Sequence, residues 1–239
     1  LQYCKRQPRL AMNSSFSFTF FFKTTCLFIA CILSQAILKA DNTLPLVFEE
    51  DFSGGIDRWS PTDSKAWTLS KDGDRHVWGL NRRKSDYSPK VRSPHNIALV
   101  KNVHLSNSEI LFKVKSTLDT GNHRDCCVFF NYEDPEHFYY VHLGARPDPH
   151  SGQIMIVDGA PRRALTKNTT PVPWDDGWHT VKLERDVSTG RIAVYFDNLD
   201  DPLMETKDTT FTSGQVGIGS FDDMNDFTDI HIFGDSVTP

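Results

Sequence analysis

Two neighbouring segments of the sequence place aromatic, amide, carboxylate and imidazole side chains at every second position. The first segment contains Asp125, Phe129 and Asn131, and the second contains Tyr140 and His142. If both segments are β-strands, alternate side chains point to opposite faces, so these five share one face of a sheet. Aromatic rings stack on the apolar faces of sugars, while polar groups fix the sugar hydroxyls. The pattern predicts a carbohydrate-binding face, and the alternative is an ordinary solvated sheet surface.

Basic residues near these segments provide a second set of candidates for ligand binding. The basic residues that together would form a cationic patch are Arg92, Lys113, Lys115, His123 and Arg124. The fork of an arginine guanidinium suits a carboxylate or sulfate group, so such a patch would bind an acidic glycan. The alternative is that isolated lysines on a strand only improve solvation or protect a sheet edge.

The same sets also contain groups that transfer protons. His123, His142 and Tyr140 are candidate acids or bases, and Arg92 or Arg124 would neutralise a substrate carboxylate. These residues favour a lyase or an unusual hydrolase if the protein is an enzyme. A histidine and a tyrosine near each other are more often structural, so the catalytic hypothesis stays open beside the binding hypothesis.

The elements that must position these residues are short strands. After Asp41, roughly every 8–15 residues, turn-forming Pro, Gly and Asp separate runs rich in Val, Ile, Phe and Tyr, which is typical of an all-β sandwich. No segment shows the periodicity of an amphipathic helix. The clearest predicted strands are 110–115, 126–132, 138–143, 153–157, 179–185, 191–196, 215–220 and 229–233.

Turn chemistry predicts two hairpins. The segment 133–136 reads Glu-Asp-Pro-Glu, and the segment 186–190 reads Asp-Val-Ser-Thr-Gly. Asp, Pro and Gly favour tight turns, so each segment should join its flanking strands as an antiparallel pair.

Cys126 and Cys127 are adjacent in one of the predicted strands. Adjacent residues of a strand point to opposite faces, and a disulfide between them would need a strained peptide. The sequence therefore predicts two separate thiols that pack as small apolar residues.

Several segments of the sequence resemble one known superfamily. They are 46–54, followed by Trp59 and Trp67, then 128–132 with 137–140, then 177–185, and finally 214–219. Together they resemble the laminin-G-like and 3-keto-disaccharide-hydrolase-like branch of the concanavalin A-like lectin/glucanase superfamily. The resemblance implies a two-sheet antiparallel jelly-roll β-sandwich. It leaves the activity open, because that superfamily contains lectins, hydrolases, lyases and adhesion modules.

The resemblance also implies where a glucanase would carry its carboxylates. Such an enzyme would have the strand motif Glu-x-Asp-x-x-Glu, with two carboxylates flanking the glycosidic bond, and the sequence lacks this spacing. A secreted lectin-like domain that contacts a poly- or oligosaccharide is therefore the leading hypothesis. A glycan-active enzyme, either a glycoside hydrolase or a polysaccharide lyase, is the first alternative, and a structural or adhesion module is the second.

In this fold class the first and last strands commonly lie close together, which suggests a metal site between them. Glu49, Glu50 and Asp51 lie at the first predicted strand, and Asp222, Asp223, Asp226 and Asp229 precede or begin the last. Of these, Glu49, Asp51 and Asp229 are the leading candidates for metal ligands. Hard carboxylate oxygens suit calcium, so we expect a structural calcium ion. The alternative is that the acidic residues of 222–226 and their neighbours form a simple solvated turn.

The N-terminal segment has the features of an export signal. Lys23 is followed by an uncharged run over 24–36, which matches a signal-peptide core and is too short for a membrane span. Small residues predict cleavage after Ala36 and a weaker site after Ala40. The first methionine is Met12, which is a candidate for the true start.

These features predict a leader over 1–36, a short linker over 37–45 and one jelly-roll domain over 46–235. The expected location is extracellular or periplasmic, and the alternative is a lipid anchor at Cys31. Cleavage after residue 36 removes four basic residues and no acidic one, so the formal net charge changes from −5 to −9. Such a charge argues against a nucleic-acid partner, which would need a concentrated basic surface.

Overall fold

Strands follow one another with short connections in a computed structural model that describes residues 44–118 and 121–238. In this part of the chain there is no α-helix, and two 3₁₀ turns occur at Ser64–Ala66 and Gly121–His123. Among the described residues, no helix is long and apolar enough to cross a membrane. The strands are β1 (Leu46–Glu50), β2 (Trp59–Pro61), β3 (Trp67–Asp72), β4 (Arg75–Leu80), β5 (Asn96–Ser116), β6 (Cys127–Asp134), β7 (His137–His142), β8 (Gln153–Asp158), β9 (Arg163–Ala164), β10 (His179–Asp186), β11 (Arg191–Phe196), β12 (Met204–Lys207), β13 (Gly214–Ser220) and β14 (Asn225–Ser236).

The predicted leader, both predicted cleavage sites and Cys31 lie outside the described residues. The charge and export predictions that depend on them therefore stay predictions.

The long strand β5 connects two layers of antiparallel strands. Residues 96–105 of β5 pair with β2 and β13, whereas residues 108–116 pair with β10 and β14. The first layer continues from β13 through β6, β7 and β8 to β9. The second layer extends from β14 through β5 to β10, β11 and β12, with β1 and β4 paired to β14 and β3 paired to β4.

One main core lies between the two layers. Phe130, Tyr139 and Val141 enter it from the first layer, and Phe112 and Val181 enter it from the second. All of these side chains are fully buried. The predicted all-β, two-layer antiparallel sandwich is confirmed.

Each predicted strand is present, and both predicted hairpins form. Asp134 pairs with His137 across the first turn, and Asp186 pairs with Arg191 across the second. Strand β5 is much longer than predicted, because its polar middle section is typical of a turn but continues as a strand. In this section Asn102 has a φ of 60° and lies at the irregularity in the pairing of β5 with β13.

The two layers differ in how much of their outer faces is covered. Strand β10 alternates strictly between buried and half-exposed residues, as expected for a sheet with one solvated face. Strands β6, β7 and β8 are instead buried on both faces over most of their length. The outer face of the first layer carries a second apolar group, the outer cluster, formed by Ile97, Cys127, Phe129, Tyr132, Phe138, Tyr140, Met155, Val157 and Phe221.

The outer cluster corrects one prediction from strand alternation. Phe129 and Tyr140 do share a face, but this face is not exposed, and both side chains are fully buried. The connection 81–95 between β4 and β5 covers it, and its residues Tyr87 and Val91 pack against the cluster. Neither ring is available for stacking on a ligand.

The two adjacent cysteines are free thiols on opposite faces, as predicted. Cys126 lies in the main core and Cys127 in the outer cluster, and both are buried. Burial raises the pKa of each thiol well above its usual value, so both stay protonated and pack as small apolar side chains.

Candidate functional site

A cleft of about 640 Å³ opens on the outer side of the first layer, where β7 and β13 end and β8 begins. Most of its lining is charged or titratable. The charged and titratable lining residues are Arg92, His123, Arg124, Asp125, His142, Arg146, Asp148, His150, Arg162 and Asp222.

Asp125 forms the floor of the cleft and ties two neighbouring strands together. Its Oδ1 accepts hydrogen bonds from Ser220 Oγ at 2.8 Å and from the Phe221 backbone N–H at 3.0 Å. Its Oδ2 accepts one from the Asp222 backbone N–H at 3.3 Å. Burial alone would raise the pKa of Asp125, but hydrogen bonding to His142, Phe221 and Asp222 outweighs burial and lowers it to about 2. Asp125 is therefore a charged anchor that joins the start of β6 to the end of β13.

His142, the last residue of β7, is held in one orientation against this floor. Its Nδ1 lies 2.9 Å from the carbonyl oxygen of His150 and donates to it. Its Nε2 lies 3.7 Å from Asp125 Oδ2, and its ring stacks on Phe221 with centroids 5.4 Å apart. These contacts leave the imidazole little freedom and direct Nε2 towards a carboxylate.

Asp222 lies beside Asp125 and differs from it in acidity. Burial raises the pKa of Asp222, the neighbouring Asp125 raises it further, and Arg83, at 3.5 Å, lowers it. The cleft thus contains two carboxyl groups in contact whose pKa values move in opposite directions. Such a pair keeps one group ionised while the other holds its proton to higher pH.

The wall of the cleft is formed by guanidinium groups stacked on one aromatic ring. The Cζ of Arg162 lies 4.1 Å from the ring centroid of Phe221, and the Cζ of Arg92 lies 5.7 Å from it. The Arg162 backbone N–H also donates to the Arg92 carbonyl oxygen at 3.0 Å, which joins the two chain segments. Arg124 forms an ion pair with Asp176 at the cleft edge. The faces of the Phe221 ring are therefore covered by side chains of the protein itself.

Solved structures with a similar fold include a carbohydrate-binding module, a domain of an arabinanase and a carbohydrate recognition domain. A carbohydrate-binding module of Bacillus subtilis, CBM66, aligns with a TM-score of 0.54 at 14% identity, over 74% of this chain and 96% of that one. Domain 4 of AbnA, an extracellular arabinanase of Geobacillus stearothermophilus solved with arabinotriose, aligns with a TM-score of 0.52 at 12% identity, over 82% and 95%. The carbohydrate recognition domain of Emp47p gives a TM-score of 0.55 at 12% identity, over 82% and 99%.

This chain has a jelly-roll β-sandwich fold. Identities of this size establish the fold and do not carry over any activity. No protein-family model matches the chain, and no curated protein matches its sequence.

The jelly roll brings five of the predicted site residues together. Arg92, His123, Arg124, Asp125 and His142 all line the cleft. Strand alternation was sufficient to place Asp125 and His142 near each other, because Cys127 pairs directly with His142 across β6 and β7.

Four other predicted site residues lie elsewhere. Phe129 and Tyr140 are part of the outer cluster, and burial raises the pKa of the Tyr140 phenol well above its usual value, so it stays protonated and is unsuited to act as a base. Asn131 is buried and donates to the Leu105 carbonyl oxygen at 3.2 Å. Lys113 lies in the second layer of the jelly roll, paired with Thr180 and Thr228, because β5 bends between the layers.

Some cleft residues were not predicted from the sequence. Arg146, His150 and Arg162 lie in connections of the first layer, and no local pattern separates Arg162 from the exposed Arg163 beside it. Asp222 belongs to the acidic segment 222–226, for which the sequence leaves a metal site or a solvated turn open, and the structure shows that it lines the cleft.

The expected calcium ligands have separate partners. Strands β1 and β14 pair, so the predicted proximity of the terminal strands is confirmed. Glu49 lies 3.3 Å from His231, Asp51 bonds to Ser53, and Asp229 lies 3.8 Å from Arg75. Among the described residues no group of three or more His, Cys, Asp or Glu side chains is arranged to hold a metal ion. Calcium binding stays a prediction, tested by comparing the melting temperature with a chelator and with added calcium.

Proposed function

We propose that this jelly roll binds carbohydrate in the cleft between Asp125, His142 and Arg162. The observation that carries the proposal is a polar cleft of about 640 Å³, with fixed side chains, on a fold shared with a carbohydrate-binding module and a carbohydrate recognition domain. A cleft of this size accommodates a few sugar units and has many groups that pair with hydroxyls.

The chemistry of recognition in this proposal is polar and not based on an open aromatic platform. Phe221 contacts His142, Arg92 and Arg162, so its ring supports these side chains and does not present a face to the ligand. Exposed groups at the rim, including His123, Arg146 and His150, are in place to contact sugar hydroxyls.

A glycan array with the purified protein tests the proposal. Arg146→Gln, which changes an exposed residue of the cleft, should weaken binding to the recognised glycans by about tenfold, the effect of losing one charged hydrogen bond. Arg163→Gln changes an exposed arginine outside the cleft and is the matched control, for which we expect unchanged binding. Absence of binding to any glycan on an array of neutral and acidic sugars would contradict the proposal.

A second candidate function is a glycan-active enzyme at the same cleft. It is favoured by the contact between Asp125 and Asp222, whose pKa values move in opposite directions beside His142. In this hypothesis Asp222 donates a proton, and Asp125 stays ionised and orients His142.

Mass spectrometry of the bound glycans after incubation decides between binding and catalysis. An enzyme should release shortened products, and Asp222→Asn should abolish their formation while the glycan still binds. If all recognised glycans remain intact at every pH between about 4 and 8, the catalytic hypothesis is wrong and the binding proposal stands.

We also propose that the protein is exported and cleaved after Ala36. The proposal rests on the apolar run 24–36 and the small residues Ser34 and Ala36, and one protein of similar fold is described as extracellular. Mass spectrometry of the secreted protein should find an N-terminus at residue 37. An intact leader, or a lipid on Cys31, would contradict it.

A further inference from the structure

Arg162 is a buried cation that forms no ion pair with the residues that the structure describes. Its side chain lines the cleft, and the residue is 8% exposed. Its Nε and Nη1 atoms are buried and have no hydrogen-bond partner among the described residues. Placing a guanidinium in such a position without an acceptor is unfavourable, so its environment suits a group that supplies oxygen atoms with negative charge.

Other residues of the cleft also favour a negatively charged ligand. Arg92, Arg124 and Arg146 line it together with Arg162, although the whole chain has a formal net charge of −5. The acidic residues of the cleft are already paired. Asp125 accepts from Ser220 and from two backbone N–H groups, and Asp222 contacts Arg83.

The third acidic residue of the cleft, Asp148, is also engaged by its own connection. Its Oδ1 accepts the His150 backbone N–H at 2.6 Å. The carboxylates thus serve to shape the cleft, and the Nε and Nη1 atoms of Arg162 have no acceptor among the described residues.

We propose that the cleft recognises an acidic sugar, whose carboxylate or sulfate oxygens accept hydrogen bonds from Arg162. This inference rests on the proposed carbohydrate binding and adds the class of ligand. A guanidinium forms two parallel hydrogen bonds to a carboxylate or sulfate, and such charge-assisted bonds are about twice as strong as neutral ones. The cleft is also larger than a single carboxylate or sulfate ion requires, and its volume fits a sugar unit that carries such a group.

Calorimetry with matched ligand pairs tests the inference on the unaltered protein. One pair is a polygalacturonate oligosaccharide and its carboxyl-reduced form, and the other is a sulfated carrageenan oligosaccharide and its desulfated form. At constant ionic strength, at least one anionic member should bind about tenfold more tightly than its neutral partner. The pair that shows the difference identifies the anion as carboxylate or sulfate.

Two adjacent arginines provide matched variants. Arg162→Gln should remove most of the preference for the anionic ligand, whereas Arg163→Gln, which changes an exposed neighbour outside the cleft, should retain it. The ligand pairs decide the inference on the parent protein even if Arg162→Gln does not fold.

The outcomes separate this inference from the proposal on which it rests. If the neutral and anionic members bind equally, or if Arg162→Gln retains the preference, the acidic-sugar inference is wrong while carbohydrate binding stands. If the protein binds no member of either pair and no other glycan, both are wrong.

Discussion

Asp223 is a buried carboxyl group under the cleft whose ionisation opposes folding. Its Oδ2 accepts from Ser116 Oγ at 2.7 Å and from the Asp125 backbone N–H at 3.2 Å. Its Oδ1 is buried and has no hydrogen-bond partner in the described part of the chain. Burial outweighs these hydrogen bonds and raises the pKa of Asp223 from 3.8 to about 6.

This shift predicts how stability depends on pH. Because the pKa is raised in the folded state, the stabilisation from this group is fully present below about pH 4 and is lost as the pH rises through about 6. The full loss amounts to about 3 kcal/mol of unfolding free energy, of which about 2 kcal/mol falls between pH 4.5 and 7.5. Asp223→Asn should remove this part of the pH dependence, as measured by urea unfolding between pH 4.5 and 7.5.

Asp125 provides the comparison for this experiment. Its pKa is lowered, so its ionisation affects stability in a lower pH range than that of Asp223. The stabilisation from Asp125 is present above about pH 4 and is lost only as the pH falls towards 2. An Asp223→Asn variant with the same slope as the parent between pH 4.5 and 7.5 would show that Asp223 is not the responsible group.

Substitutions of Tyr140 test whether an aromatic residue of the outer cluster contributes to ligand binding. Its hydroxyl is buried and has no hydrogen-bond partner among the described residues, and its ring stacks on Phe129 with centroids 5.8 Å apart. Tyr140→Phe should leave unfolding free energy and glycan binding unchanged or slightly raise the former. Tyr140→Ala should lower the unfolding free energy by about 3–5 kcal/mol through loss of packing. Loss of glycan binding in a stable Tyr140→Phe variant would show that Tyr140 belongs to the binding site.

At the scale of elements, β13 positions the cleft. It lies between β5 and β6 and ends at Ser220, directly before Phe221. Gly219 permits this close packing. A Cβ atom there would lie 1.9 Å from the Asn96 carbonyl oxygen and 3.1 Å from the Phe129 ring. A backbone atom of a central strand cannot move aside without disturbing the hydrogen bonds of the sheet.

Gly219→Ala should therefore lower the unfolding free energy by about 2 kcal/mol or more and weaken glycan binding, because the end of β13 carries Phe221 and Asp222. Gly54→Ala is the control, since a Cβ atom at Gly54 has no atom within 4 Å. Chemical denaturation and calorimetry measure both effects. Equal stability of the two variants would contradict the assigned role of Gly219.

At the scale of the whole molecule, Arg185 joins the two layers from inside the sandwich. Its Nε donates to Asn131 Oδ1 at 3.0 Å, from β10 in the second layer to β6 in the first. Its other nitrogens donate to the carbonyl oxygens of Gly190, Asp208 and Phe211 at 2.8–2.9 Å. The residue is buried, and its guanidinium lies 5.3 Å from the ring centroid of Tyr139.

Arg185→Met should lower the unfolding free energy by about 3 kcal/mol or more, because four acceptors lose a hydrogen bond from this guanidinium at once and three of these bonds are buried. Arg163→Met replaces an exposed arginine and should change it by less than about 0.5 kcal/mol. Thermal and urea unfolding measure the difference. A small effect in both variants would show that the two layers do not depend on Arg185.

The sequence by itself determined the local features of this molecule. Hydrophobic alternation and turn residues predicted strands and hairpins, because both depend on residues close together in the chain. The same alternation placed Cys126 and Cys127 on opposite faces and brought His142 next to the start of β6. The fold class and the proximity of Asp125 and His142 follow from these short-range patterns.

The tertiary structure alone decided which faces are covered and which cations lie in the cleft. Alternation cannot show that 81–95 folds over Phe129 and Tyr140, since that burial depends on contacts between distant segments. It also cannot show that β5 bends and carries Lys113 into the second layer. Arg162 and Arg163 are chemically identical neighbours, and packing against Phe221 buries one while the other stays exposed. Coverage and burial are properties of long-range packing, and the character of this cleft depends on them.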